Sequence, residues 1–70
     1  MTFTYKTVIV NGYSIELYQN KFDRVYRVGV YPVIDEDNSL LGYPVSDRAY
    51  TTEKQALKRF NNAIRYYREV

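Results

Sequence analysis

Seventy residues with a net charge of +2 make one small domain, residues 1–70, with no room for a second. The chain has no Cys and no His. This excludes disulfide staples and thiolate or imidazole metal ligation, and it removes the commonest general base and the commonest thiol nucleophile.

A core this thin is marginally stable. Nine Tyr and three Phe are expected to supply packing area, with a homodimer as a second source of stability. The absence of Cys fits a reducing compartment. MTFTYKTVIV lacks the continuous apolar run of a signal peptide, and no stretch is long enough to span a membrane. The expected location is the cytoplasm.

Taken in order, Phe3 to Val10 alternates with many β-branched residues and predicts a strand. Asn11-Gly12 follows, a pair that tolerates the positive φ angles of a type I′ turn. Tyr13 to Gln19 then returns as a second strand. A two-residue turn fixes the register. Val10 faces Tyr13, Val8 faces Ile15 and Lys6 faces Leu17 on the aliphatic side, which is assigned to the core. Lys6 sits at the rim of that side and reaches solvent along its stem. On the other side Ile9 meets Ser14, Thr7 meets Glu16 and Tyr5 meets Tyr18.

Gln19 to Asp23 reads as a second turn, with Phe22 out of character in it. Arg24 to Ile34 reads as a third strand, with Tyr26, Val28 and Val30 on one face and Arg27, Gly29 and Tyr31 on the other. Pro32 lacks a ladder donor, which predicts an edge strand or a strand end. Asp35 to Gly42 reads as the main loop, and Tyr43 to Tyr50 as a short fourth strand weakened by Pro44. Asp35-Glu36-Asp37-Asn38-Ser39 begins like a calcium loop. Leu40 then stands where the sharp-turn Gly belongs and Ser46 where the bidentate Glu belongs. The stretch is therefore read as a solvated turn, and no metal site or cofactor is expected.

Thr52 to Val70 has the clearest periodicity. Ala56, Leu57, Phe60, Ala63, Ile64 and Tyr67 recur on one side of a helix. Thr52 followed by Gln55 is a capping-box pattern. The expected fold is α+β: an antiparallel sheet of three strands, extended to four if Tyr43–Tyr50 pairs, packed against one C-terminal α-helix.

Charge is unevenly spread. Residues 1–51 carry five basic and six acidic side chains, whereas residues 52–70 carry five basic and two acidic. At 100° per residue, Lys54, Lys58, Asn61, Arg65 and Arg68 form a stripe away from the apolar one. Glu69 alone borders it, spaced to pair with Arg65. Such a stripe suits phosphates or an acidic protein surface. Tyr5 and Tyr18 lie opposite each other on the non-core face of the hairpin, and Arg27 and Tyr31 share a face of the third strand. If the two faces coincide, the aromatic rings and an Arg there can stack bases or anchor a protein.

Tyr26 to Tyr31, the loop Asp35–Gly42 and Ala49-Tyr50-Thr51-Thr52-Glu53-Lys54-Gln55-Ala56 together resemble the AP2-like, arm-type DNA-binding domains of phage integrases. The resemblance implies a three-stranded sheet on one C-terminal helix, with the sheet in the DNA major groove. The chain departs from that family in lacking Trp and in having only Arg48, beside Asp47, where the family carries a basic last strand.

The expected function is a small non-enzymatic binding module of phage or mobile-element type. Its target is nucleic acid or a nucleoprotein machine, engaged through Lys54, Lys58, Arg65 and Arg68 and through Tyr5, Tyr18, Arg27 and Tyr31. The alternative is a protein-binding inhibitor or adaptor, such as a phage protein that blocks a host nuclease complex. A membrane partner is not expected.

Overall fold

Asn11 (φ 53°) and Gly12 (φ 83°) adopt the left-handed angles of the type I′ turn. They join β1 (Tyr5–Val10) to β2 (Tyr13–Gln19) in the expected register, with Val8 opposite Ile15 and Lys6 opposite Leu17. The computed structural model describes residues 5–20, 22–38 and 40–69. Of the sequence expectations, Phe3 and Thr4 of the first strand, Lys21 of the second turn, Ser39 of the loop and Val70 of the helix lie outside the described residues. Tyr5 is described through its backbone only.

The second turn is held by local side chains. The Phe22 N–H donates to Asn20 Oδ1 (2.8 Å), and the Val25 N–H donates to Asp23 Oδ1 (3.0 Å). Arg24 takes a left-handed φ of 58° there. The third strand is therefore β3 (Tyr26–Asp35), starting two residues later than the sequence suggests and running one residue further.

Pro32 neither ends β3 nor places it at an edge. β3 pairs with β2 on one side, and on the other with β5 (Ser46–Tyr50) and then β4 (Leu40–Leu41). The backbone groups of Val30 and Pro32 point to the β4/β5 side, since their carbonyls accept from Val45 (2.8 Å) and Gly42 (2.8 Å). In an antiparallel strand the N–H and C=O of one residue point the same way. The donor that Pro32 lacks therefore falls on the gap between β4 and β5, where no ladder bond is required.

β4 is a correction. It lies inside the segment expected to be loop, and a bulge at Ile34 shifts its register against β3. The turn before it is built by Asp35, whose carboxylate accepts from the Asp37 N–H (3.1 Å) and from the Asn38 N–H (3.4 Å) and side-chain amide (2.7 Å). The fourth strand expected over Tyr43–Tyr50 is β5, which begins only after Pro44.

α1 (Glu53–Glu69) starts where the capping pattern places it. Thr52 Oγ1 accepts the Gln55 N–H (3.3 Å), and the Thr52 carbonyl accepts the Ala56 N–H (3.2 Å). Ala56, Phe60 and Ala63 press onto Ile15, Leu17, Val28 and Val30, all buried. Leu57, Ile64 and Tyr67 close the rim of this core. At the far end the Asn11 amide donates to the Tyr67 carbonyl (3.2 Å), and the Tyr13 and Tyr67 rings meet at 4.7 Å. The hairpin tip thus fastens the last turn of the helix. The result is an α+β fold, an antiparallel sheet of four to five strands covered on one face by one helix. Among the described residues no helix is long and apolar enough to cross a membrane.

Candidate functional site

The sequence offers two candidate surfaces, and the fold sets them on opposite sides of the molecule. Helix α1 lies on the sheet face that carries Ile15, Leu17, Val28 and Val30. Side chains alternate along a strand, so Tyr18, Arg27 and Tyr31 point to the other, uncovered face. Lys54, Lys58, Asn61, Arg65 and Arg68 occupy the outer side of the helix and are all exposed. The two groups therefore do not form one site.

On the helix, none of the four cations makes an ion pair among the described residues. Arg65 and Glu69 have the spacing to pair but do not. Exposed pairs gain little against the entropy of holding two long side chains. The sequence reading missed how far this basic surface extends. Arg59, 100° around the helix from Lys58, leans across to β5 and donates from Nη2 to Ser46 Oγ (3.1 Å). Its Nε–H is buried and has no acceptor among the described residues. Tyr50, Gln55, Lys58, Arg59 and Asn62 line a groove of about 310 Å³ between α1 and β5. Arg48 lies between Ser46 and Tyr50 on the same face of β5. The signal was present in the sequence: Arg59 sits where the apolar stripe meets the polar one. Its reach to β5 needed the strand pairing to become visible.

On the open sheet face, Tyr18 stands directly across from Arg27, and Ser14 across from Tyr31. The two faces coincide, in a register set by the turn that joins β2 to β3. The rings are half-buried rather than free, however. A Cβ at Gly29 would come within 2.7 Å of Tyr31 Cε2 and Oη, so the Tyr31 ring lies along its own strand over the glycine. Arg27 is also engaged, with its guanidinium 3.6 Å from Asp23. The side chain of Tyr5 lies outside the described residues. Beyond these tyrosines the face holds a hollow of about 310 Å³ lined by Thr7, Ile9, Ser14, Glu16, Val33, Glu36 and Leu41. Ser14 is 4% exposed there and donates to Glu16 Oε2 (3.3 Å). With Glu16, Glu36 and Asp47 around one paired Arg, this face is acidic, a property the alternation pattern alone did not display.

Compared with known proteins, the chain matches no family model, no curated protein and no solved structure.

Proposed function

We propose that this protein is a non-enzymatic binding module that engages a phosphate-bearing partner, a nucleic acid or a nucleoprotein complex, through the outer face of α1. The observation that carries this reading is the set Lys54, Lys58, Arg65 and Arg68, exposed and without ion pairs among the described residues. Cations held together without counter-charges repel one another at a cost of a few tenths of a kcal/mol per neighbouring pair, and an anionic partner removes that cost. Arg48 and Arg59 widen the track toward β5. The groove beside them offers the Tyr50 ring and the amides of Gln55 and Asn62 to a base.

In the integrase-arm likeness the sheet enters the DNA groove. Here the sheet face carries Glu16, Glu36 and Asp47, and its Arg27 is already paired with Asp23. Phosphates are repelled from such a face, so the anion contact is assigned to the helix. A module of phage or mobile-element type remains part of this proposal.

The test is binding to generic DNA and RNA across a salt series. Each phosphate contact contributes a log–log slope of about −0.7 to −0.9. Changing Lys58 and Arg65 together to Gln should weaken binding to all sequences and flatten the slope by about two contacts' worth. No binding to either nucleic acid at low salt, with the helix intact by circular dichroism, would overturn the reading.

A second reading, a protein-binding inhibitor or adaptor, is favoured by the apolar and acidic hollow on the open sheet face. It predicts that Tyr18→Ala or Tyr31→Ala weakens capture of the partner with little salt dependence, while the Lys58/Arg65 change leaves capture intact.

A further inference from the structure

The two edges of the sheet are treated very differently, one closed by β1 and the other by β5 with the two-residue β4. β5 is five residues long, carries Asp47 and Arg48, and follows Pro44. Charges, shortness and a nearby proline are the usual guards of a sheet edge. β1 is YKTVIV, with no proline, no bulge in its pairing and one charge, Lys6. Among the described residues it pairs with β2 alone. Its Ile9 is 55% exposed.

The turn decides which backbone groups are free. In a two-residue hairpin the residues flanking the turn, Val10 and Tyr13, form a hydrogen-bonded pair, and such pairs alternate along the ladder. Val10, Val8 and Lys6 therefore bond to β2. Ile9 and Thr7 turn their N–H and C=O groups outward, away from β2.

We infer that β1 is the docking edge for a second copy of this chain, pairing antiparallel with its own equivalent to continue the sheet across a two-fold axis. An antiparallel edge is complementary to itself, and this one carries a stripe of β-branched residues. Charge selects the register. Centring the axis on Val8 sets Thr7 opposite the partner's Ile9 and Lys6 opposite the partner's Val10, which keeps the two lysines far apart. A shift that centred it on Thr7 would bring them to diagonal neighbours. The axis stands perpendicular to the sheet, so both helices lie on the same side and their basic faces point the same way. The inference rests on the free edge and not on the anion-binding reading, so either can fail without the other.

The test is the mass of the intact chain in solution by sedimentation, over a dilution series and without nucleic acid. The expected result is a dimer that dissociates on dilution. Thr7→Pro removes an outward N–H and the 3.4 Å contact of Thr7 Oγ1 with Ser14 Oγ. It leaves the backbone ladder to β2 intact and is compatible with an edge strand, so it should give a folded monomer. Val8→Pro would remove a bond to β2 and should disrupt the fold itself. If Thr7→Pro fails to fold, Ile9→Lys decides, since a lysine at the seam should also give a monomer. The register has its own test: Val8→Cys, in a chain with no other cysteine, should form a disulfide dimer under mild oxidation. A wild-type chain that stays monomeric at every concentration overturns the inference. So does a dimer that survives in folded Thr7→Pro or in Ile9→Lys.

Discussion

Asp35 spends its carboxylate on its own turn. The Asn38 side-chain amide, together with the backbone N–H groups of Asn38 and Asp37, holds its carboxyl below the ordinary aspartate value. A folded-state value below the unfolded one gives stability that is present above about pH 3.9 and lost as pH falls through the folded value. Carboxyl NMR should find Asp35 titrating below the ordinary range, and Asn38→Ala should move it back upward; an Asp35 that titrates alike in both proteins would refute the account. Gly29 shows a different local dependence. In a strand Gly→Ala ordinarily helps, but here the new Cβ would strike the Tyr31 ring at 2.7 Å. Gly29→Ala should destabilise the wild type and be neutral or better in a Tyr31→Ala background. The coupling expected for residues in contact is about 0.5–3 kcal/mol. Additive effects in a denaturation double-mutant cycle would show that the ring does not rest on the glycine.

The helix is held by few but large contacts. Phe60 is 4% exposed, and Ala56 and Ala63 beside it let the helix approach the sheet closely. Phe60→Ala should cost about 3–5 kcal/mol, while a domain of this length has a total stability on the order of 4–10 kcal/mol. Urea unfolding should show the variant partly or wholly unfolded, and an unchanged midpoint would remove Phe60 from the core. These elements were legible in the sequence because their signals are local. Asn11-Gly12 states its turn, the turn states the register of six residue pairs, and the 3.6-residue period states the buried face of α1. Pro32 and β4 were not legible for a single physical reason. Whether a proline's missing donor matters depends on what lies beside it, and here that is a gap between two strands distant in sequence. Leu40 and Leu41 likewise become a strand only by pairing with Val33 and Asp35, which no property of their own announces.

For the whole molecule, alternation and helical period were enough to group Tyr5 with Tyr18, Arg27 with Tyr31 and Lys58 with Arg65, but not to show that the first two pairs share a face or that the basic stripe faces away from them. Their separation follows from stacking the helix on the sheet, and the acidity of the sheet face from strands brought together by that sheet. The molecule measures 30 × 25 × 17 Å along its principal axes. Charges on opposite faces therefore lie more than a Debye length apart at physiological salt, about 8 Å, but within one at 0.01 M, about 30 Å. This gives a prediction that no single-face picture makes. Neutralising the acidic side with Asp47→Asn and Glu36→Gln leaves every residue of the basic face in place. At about 0.15 M salt the double change should leave nucleic-acid affinity as it was. At about 0.01 M it should raise affinity, because the acids across the sheet then still repel phosphates. Titrations of one DNA fragment at the two ionic strengths would check this. If affinity rises equally at both, those acids lie beside the bound phosphates and the partner sits on the sheet face. If it rises at neither while the Lys58/Arg65 change still weakens binding, screening across the molecule is stronger than its thickness implies. The two faces would then act independently at every salt concentration.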